Sequence, residues 1–225
     1  MRIHSKFLVH WTGKDIENCS ATGKSQLYVE RLKDDLEKGL FAKRISEDSI
    51  RKWKIKNLVR ICFTEIRLSQ AQTHAKRYGK LGIGFRRDFI MNKGGRPVIY
   101  IPFDAKVDAR LLEDSIRTVY ERSYDNSEIH RSAKWIMAHV KRMSNGKDAD
   151  YYEEMEWRLV HDEKSTHFSS SESDVYRLKF EASDIKLIIL PDEITKRQSL
   201  GDEFIRKYFS EHLPIMATLD ECSNF

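Results

Sequence analysis

The sequence predicts an α+β fold: a mixed, mostly antiparallel sheet with flanking helices and an inserted helical hairpin. Three observations lead there. Short apolar runs bounded by turn residues recur at 58–63, 81–85, 97–101 and 184–190, with the length and composition of strands. Between them, two stretches at about 108–123 and 129–143 repeat apolar residues every three or four positions, the period of an amphipathic helix. No linker rich in Pro, Gly or Ser and no internal repeat divides the 225 residues, so residues 1–225 are expected to form one domain, with the helical insertion at about 108–143.

Each element has a local reason. Residues 8–11 read as a short opening strand. A helix follows from about Ser25, with Leu27, Arg31, Leu32, Asp35 and Leu36 at helical spacing and Gly39 as its stop. Residues 58–63 form an apolar strand, and 68–78 a short helix that Gly79 ends in the left-handed conformation. The glycine-rich strand 81–85 and the strand 97–101, joined through Gly94-Gly95, are expected as neighbours in the sheet. In the hairpin, Leu111, Leu112, Ile116, Val119 and Tyr120, then Ile129, Ala133, Ile136, Met137 and Val140, face inward. Strands return at 152–160, 175–180 and 184–190, with 169–173 as a mobile polar loop, and Pro191 stops the last of them. A helical stretch through Asp202, Phe204, Ile205, Tyr208 and Phe209 and an apolar segment at 214–218 close the chain.

A hydrophobic fraction of 40% is enough to fill a core. No apolar run approaches the roughly 20 residues of a membrane span, and the N-terminus lacks the apolar stretch of a signal peptide, so the expected location is the cytoplasm. Cys19, Cys62 and Cys222 are odd in number and widely separated, which fits reduced thiols better than a disulfide framework. The eight histidines have no metal-ligand spacing, so no metal site is expected. A net charge of +5 permits contact with nucleic acid, although charges of both signs are dispersed over 33% of the residues. Arg51, Lys52, Trp53, Lys54 and Lys56 concentrate the basic character. Their alternation fits a phosphate-tracking surface with a stacking tryptophan, or a half-buried element whose lysines face water.

The segment Tyr151-Tyr-Glu-Glu-Met-Glu-Trp-Arg-Leu-Val160 is the most informative. Read as a strand, it puts Met155, Trp157 and Leu159 on one face and Glu154, Glu156 and Arg158 on the other. Alternate residues on one face stand roughly 7 Å apart, so Arg158 can hold one carboxylate ionised while the other meets a ligand. Glutamate has poor strand propensity, and its use here marks either a site or a solvated edge with a salt bridge. His10-Trp-Thr-Gly13 puts His10 and Thr12 on the same side of the opening strand, able to hydrogen-bond a sugar or amide; the alternative is a satisfied structural histidine. Gly82 and Gly84 admit a ligand or a neighbouring backbone. The expected cleft lies between the His10 strand, the 78–85 glycine segment and the 154–158 strand.

Two phosphate-binding readings fail. Ala21-Thr-Gly-Lys-Ser25 ends like a phosphate loop, but Asn18 stands where the first glycine is required. Gly82-Ile-Gly84 does not lead into the long helix of a dinucleotide fingerprint.

His10-Trp-Thr-Gly13, Cys62-Phe-Thr-Glu65 followed by Leu68 and His74, Tyr78-Gly-Lys-Leu-Gly-Ile-Gly-Phe85, Gly95-Arg-Pro-Val-Ile-Tyr-Ile101 and Glu153-Glu-Met-Glu-Trp-Arg158 occur in an order that resembles the AbiGi-type abortive phage infection family, from near residue 8 to about 190. The resemblance implies a bacterial phage-defence protein, the antitoxin-like half of an abortive-infection pair, with a toxin-like partner. A second layout, with histidine on an early strand, an aromatic in the central sheet and glutamate on a late strand, resembles ADP-ribosyltransferase domains. It implies that His10 holds the nicotinamide-side ribose of NAD with Thr12 in support, and that Tyr78 or Tyr100 stacks on nicotinamide. Glu154 or Glu156 would then orient the ribose hydroxyl and stabilise positive charge as nicotinamide leaves. The glycine that usually follows a strand-borne basic residue in those domains is not identifiable here.

Three functions follow as alternatives: an antitoxin-like regulator holding a partner or DNA through the hairpin or the basic segment, an NAD-consuming transferase, and a non-catalytic nucleic-acid-binding module. If the glutamates act on a ligand, Glu154→Gln and Glu156→Gln stay folded and at least one loses phage protection. If Glu156 pairs structurally with Arg158, Glu156→Gln chiefly lowers stability.

Overall fold

The computed structural model describes residues 7–18, 23–44, 58–65, 67–101, 111–143, 151–161, 168–170 and 176–224. The basic segment Arg51, Lys52, Trp53, Lys54 and Lys56 lies outside them. In chain order the described elements are β1 (Phe7–Thr12), α1 (Lys14–Asn18), α2 (Lys24–Lys38), β2 (Leu40–Phe41), β3 (Lys43–Arg44), β4 (Val59–Thr64), α3 (Ala71–Tyr78), β5 (Leu81–Arg86) and α4 (Arg87–Asn92). There follow β6 (Arg96–Pro97), β7 (Ile99–Ile101), α5 (Leu111–Arg122), α6 (Ser127–Ala138), β8 (Val140–Arg142), β9 (Glu156–His161), β10 (Phe168–Ser170) and β11 (Tyr176–Leu178). The chain closes with β12 (Ile185–Leu190), α7 (Glu193–Gly201), α8 (Glu203–Tyr208), β13 (Ile215–Thr218) and α9 (Leu219–Cys222). The class is α+β, as expected.

The main sheet runs β13-β12-β5-β1-β4-β9-β6, with β3 added on β4. Its pairings are antiparallel except that of β12 with β13. Period-two alternation sorts its side chains onto two faces. Leu8, Phe63, Phe85, Trp157 and Leu159 pack with Tyr28 and Leu32 of α2, Ile90 of α4 and Ile205 of α8. Val9, Trp11, Leu187 and Ile189 pack on the other face, with Ala71 and Ala75 of α3 and Leu219 of α9. Val160 adds a third cluster with Ile116 and Tyr120 of α5 and Ala133 and Met137 of α6.

The hairpin sits where topology demands a long connection. β7 and β8 pair in parallel, and parallel strands need a crossover; α5 and α6 supply it. Three expectations change here. The second helix stops at Ala138 rather than continuing to 143, because Val140–Arg142 pairs with β7. Leu112, Val119, Ile129 and Ile136 are exposed rather than inward. The strand expected at 97–101 is split, and neither half neighbours β5: β6 pairs β9 and β7 pairs β8, since α4 carries the chain away from β5.

Other local corrections have backbone causes. Gly79 has φ +113 and ψ 161, a positive φ with extended ψ rather than the left-handed helical state. A Cβ there would lie 2.1 Å from the Thr12 carbonyl oxygen, so the close approach of α3 to the end of β1 requires glycine. Ser169 and Ser170 belong to β10, which pairs β11, and 171–175 lie outside the described residues. Strand β13 follows Pro191, so β12 is not the last strand.

Candidate functional site

The strand expected at 152–160 begins only at Glu156. Glu154 closes a 3-10 turn (Tyr151–Glu154), and Met155 takes φ 44 between turn and strand. Within β9 the expected division holds: Trp157 and Leu159 enter the α2-side core, while Glu156 and Arg158 point to the opposite face. The turn brings Glu154 to Glu156 from outside the strand, and both meet Lys141 of β8, whose Nζ lies 2.5 Å from Glu154 Oε2 and 2.7 Å from Glu156 Oε2.

This cluster is buried and closed. Arg158 Nε donates to Glu156 Oε1 at 2.7 Å, with exposures of only 2% and 4% for the two residues. The Arg158 Nη1 donates to the carbonyls of Ala138, the last residue of α6, at 2.6 Å and of Val140 at 3.2 Å. A guanidinium at a helix C-terminus also meets the negative end of the helix dipole. Burial pushes the Glu156 carboxyl up, but the Arg158 and Lys141 charges outweigh it and hold the group well below the usual carboxylate range. Burial, then the Glu156 charge, push the Cys62 thiol up to about 12. Glu154, 1% exposed, accepts from Tyr78 Oη and from Arg77 Nη1, the latter at 3.4 Å. Burial and then the Glu154 charge raise the Tyr78 hydroxyl above its ordinary value. Tyr100 Oη accepts from the Glu156 backbone N–H at 2.8 Å. The cluster therefore ties the end of the hairpin, β7 and α3 to β9.

His10 lies elsewhere. Its Nδ1 donates to the Cys62 carbonyl at 2.9 Å, and its half-buried ring packs edge-on at 5.9 Å against Phe63, a member of the α2-side core. Burial lowers its basicity, partly offset by that hydrogen bond. With Thr12, Arg77 and Tyr78 it lines a cleft of about 660 Å³ at the end of β1, which Arg31 and Asp35 of α2 also line. Thr12 Oγ1 accepts from Arg31 at 3.1 Å.

The structure thus brings His10, Thr12 and Tyr78 to one cleft, and Glu154, Glu156, Arg158, Tyr78 and Tyr100 to one ionic cluster. The single hollow expected for imidazole and acids is not formed, because register and alternation put Glu156 and His10 on opposite faces of the sheet. Gly82 and Gly84 sit in β5 under neighbouring side chains: a Cβ would lie 3.0 Å from Val9 Cγ1 and 2.9 Å from Leu187 Cβ respectively. The close approach they permit is core packing. Sequence reasoning missed Lys141 as a member of the cluster, since its segment read as helix. It also missed Asp35 as a cleft residue, although a carboxylate in the inward stripe of α2 was the available signal.

Among the described residues no group of three or more His, Cys, Asp and Glu side chains is disposed to hold a metal ion, and no helix is long and apolar enough to cross a membrane. Comparison with curated proteins and with solved structures gives no match. A family model described as "Putative abortive phage resistance protein AbiGi, antitoxin" matches residues 43–191. The match excludes the His10 segment but takes in the hairpin and the ionic cluster. It spans more than half of the chain, and the protein therefore belongs to the AbiGi family, on the antitoxin side of abortive-infection phage defence.

Proposed function

We propose that this protein acts by holding a toxin-like partner, and that the exposed flank of the α5–α6 hairpin is the holding surface. The observation that carries the reading is the exposure of Leu112 and Val119 on α5 and of Ile129 and Ile136 on α6, between 41% and 49%. Members of each pair are seven residues apart, about two turns along one side of a helix. Tyr124 in the connection and Trp135 add exposed aromatic area. Four exposed aliphatics on one inserted element offer apolar surface to a partner, and aromatic residues are the usual anchors of such sites.

The hairpin is also preorganised. Arg158 binds the carbonyl at the end of α6, and Lys141 ties the following strand to Glu154 and Glu156. A rigid surface loses less freedom on binding. A transferase acting through Glu154 and Glu156 would need carboxylate oxygens open to a ligand, and these oxygens are held by Lys141, Arg158, Tyr78 and Arg77. The reading therefore does not pass through catalysis by those acids.

Co-expression with the toxin-like partner tests this. The wild-type chain is expected to restore growth, and the double variant Val119→Lys, Ile136→Lys to lose that protection while melting normally. A folded double variant that protects as well as wild type would remove the hairpin from the account.

A further inference from the structure

The cleft at the end of β1 takes no part in the partner-holding reading, yet it contains a feature that folding alone does not explain. Asp35 is only 5% exposed and lines the cleft. Its Oδ2 has no hydrogen-bond partner. Burial, against the partial relief given by Arg31, pushes its carboxyl up to about 7. A buried polar atom without a partner costs on the order of 1–3 kcal/mol, a cost that a bound molecule offering a hydrogen-bond donor would relieve. His10 adds an acceptor at the same cleft: Nδ1 is committed to the Cys62 carbonyl, which leaves Nε2 of the neutral ring to accept a hydrogen bond.

The remaining walls define what else such a molecule carries. Lys14, Arg31, Lys43, Arg77 and Arg177 outnumber Asp15, Asp34 and Asp35 around the cleft, so it favours an anion. Arg31 is matched to Asp15 at 2.7 Å, Arg177 to Asp34 at 3.2 Å and Arg77 to Glu154 at 3.4 Å, which leaves Lys14 and Lys43 to meet an anion. Phe41 is 49% exposed at the cleft wall, and the Arg177 guanidinium lies 6.0 Å from its ring centroid. With the Arg177 guanidinium over its ring, the half-exposed Phe41 offers an aromatic and a planar cation against which a flat ring can stack. A nucleotide combines these three features, hydroxyl donors, a planar ring and a negative charge. The cleft's volume of about 660 Å³ lies within the ordinary range of small-molecule sites.

We propose that this cleft is a mononucleotide site, in which Asp35 and His10 accept hydrogen bonds from the ribose hydroxyls, Phe41 seats the base, and Lys14 and Lys43 flank the phosphate. The ligand leaves the hairpin free, so the site and the partner surface are separable.

Isothermal titration calorimetry of the full chain with AMP, GMP, CMP and UMP tests the proposal, with ribose 5-phosphate and inorganic phosphate as truncated probes. At least one monophosphate is expected to bind saturably with Kd of about 1 mM or tighter, and both truncated probes at least about tenfold more weakly. Asp35→Leu is expected to raise the melting temperature of the free protein and to weaken nucleotide binding by at least about tenfold. Phe41→Ala, at a half-exposed position, is expected to weaken binding similarly and serves if Asp35→Leu does not fold. No binding of any monophosphate, equal affinity for inorganic phosphate, or unchanged affinity in Phe41→Ala would each overturn the assignment. None of these outcomes bears on neutralisation of the partner, which depends on Val119 and Ile136.

Discussion

His10 and Glu156 stand on opposite faces of one sheet. Thr64 provides the link, since its ladder partners are Val9 on one side and Glu156 on the other. Glu156 therefore shares the face of Val9, and His10, the next residue along β1, points the other way. The two groups that sequence reasoning joined in one reaction serve different structures: an imidazole at a cleft beside α2, and a carboxylate in the ionic cluster under the hairpin.

That separation revises what Glu156→Gln should do. Glu156 is the buried partner of Arg158 at 2.7 Å, and removing one charge of a buried pair strands the other. The expected outcome is a loss of about 3–5 kcal/mol in unfolding free energy, measured by urea denaturation. Glu154→Gln should be milder, because its partners Arg77 and Lys141 retain side-chain exposures of 30% and 17% and can turn to water. Equal stability of Glu156→Gln and wild type would contradict the structural role.

Asp35 gives a pH signature. Its folded-state carboxyl is raised from the ordinary 3.8 to about 7, so the folded chain holds this proton more tightly than the unfolded chain does. The stabilisation from that proton is present below 3.8 and is lost as pH rises through about 7. Asp35→Asn removes the titration, and its stability relative to wild type should rise across that window, by on the order of a few kcal/mol at most. His74, lowered by burial to about 4, acts with opposite sign: its contribution is present above 6.5 and is lost as pH falls. It cancels in the comparison. A difference between the two proteins that stays flat with pH would refute the burial of an ionisable Asp35.

Gly84→Ala separates packing from ligand binding. The added methyl would sit 2.9 Å from Leu187 Cβ on the neighbouring strand, and overpacking of this kind costs about 1–3 kcal/mol. Thermal unfolding should show the loss, while nucleotide affinity stays at the wild-type value. A stable variant with altered affinity would return Gly84 to the ligand site.

Much of this was legible in the chain because it is local. The alternation of Glu156, Trp157, Arg158 and Leu159 sorted those residues onto their faces correctly, and the spacing of Ile116, Tyr120, Ala133 and Met137 found the hairpin and its buried stripe. What failed was set by distant contacts. Glu154 reaches Glu156 through the positive φ of Met155, which no side-chain pattern announces. Lys141 joins the acids because β8 pairs with a strand 41 residues away, and the relative facing of His10 and Glu156 depends on the register of three strands. Leu112 and Ile136 fit an inward stripe by period alone; only the packed structure leaves them in water.

The most direct test of the central claim is backbone hydrogen exchange of the purified protein with and without its toxin-like partner. Slowed exchange is expected in α5 and α6, concentrated around Leu112, Val119, Ile129 and Ile136, with the far edge of the sheet at β12 and β13 unchanged. Complex formation that leaves the hairpin's exchange untouched and protects another surface would contradict it.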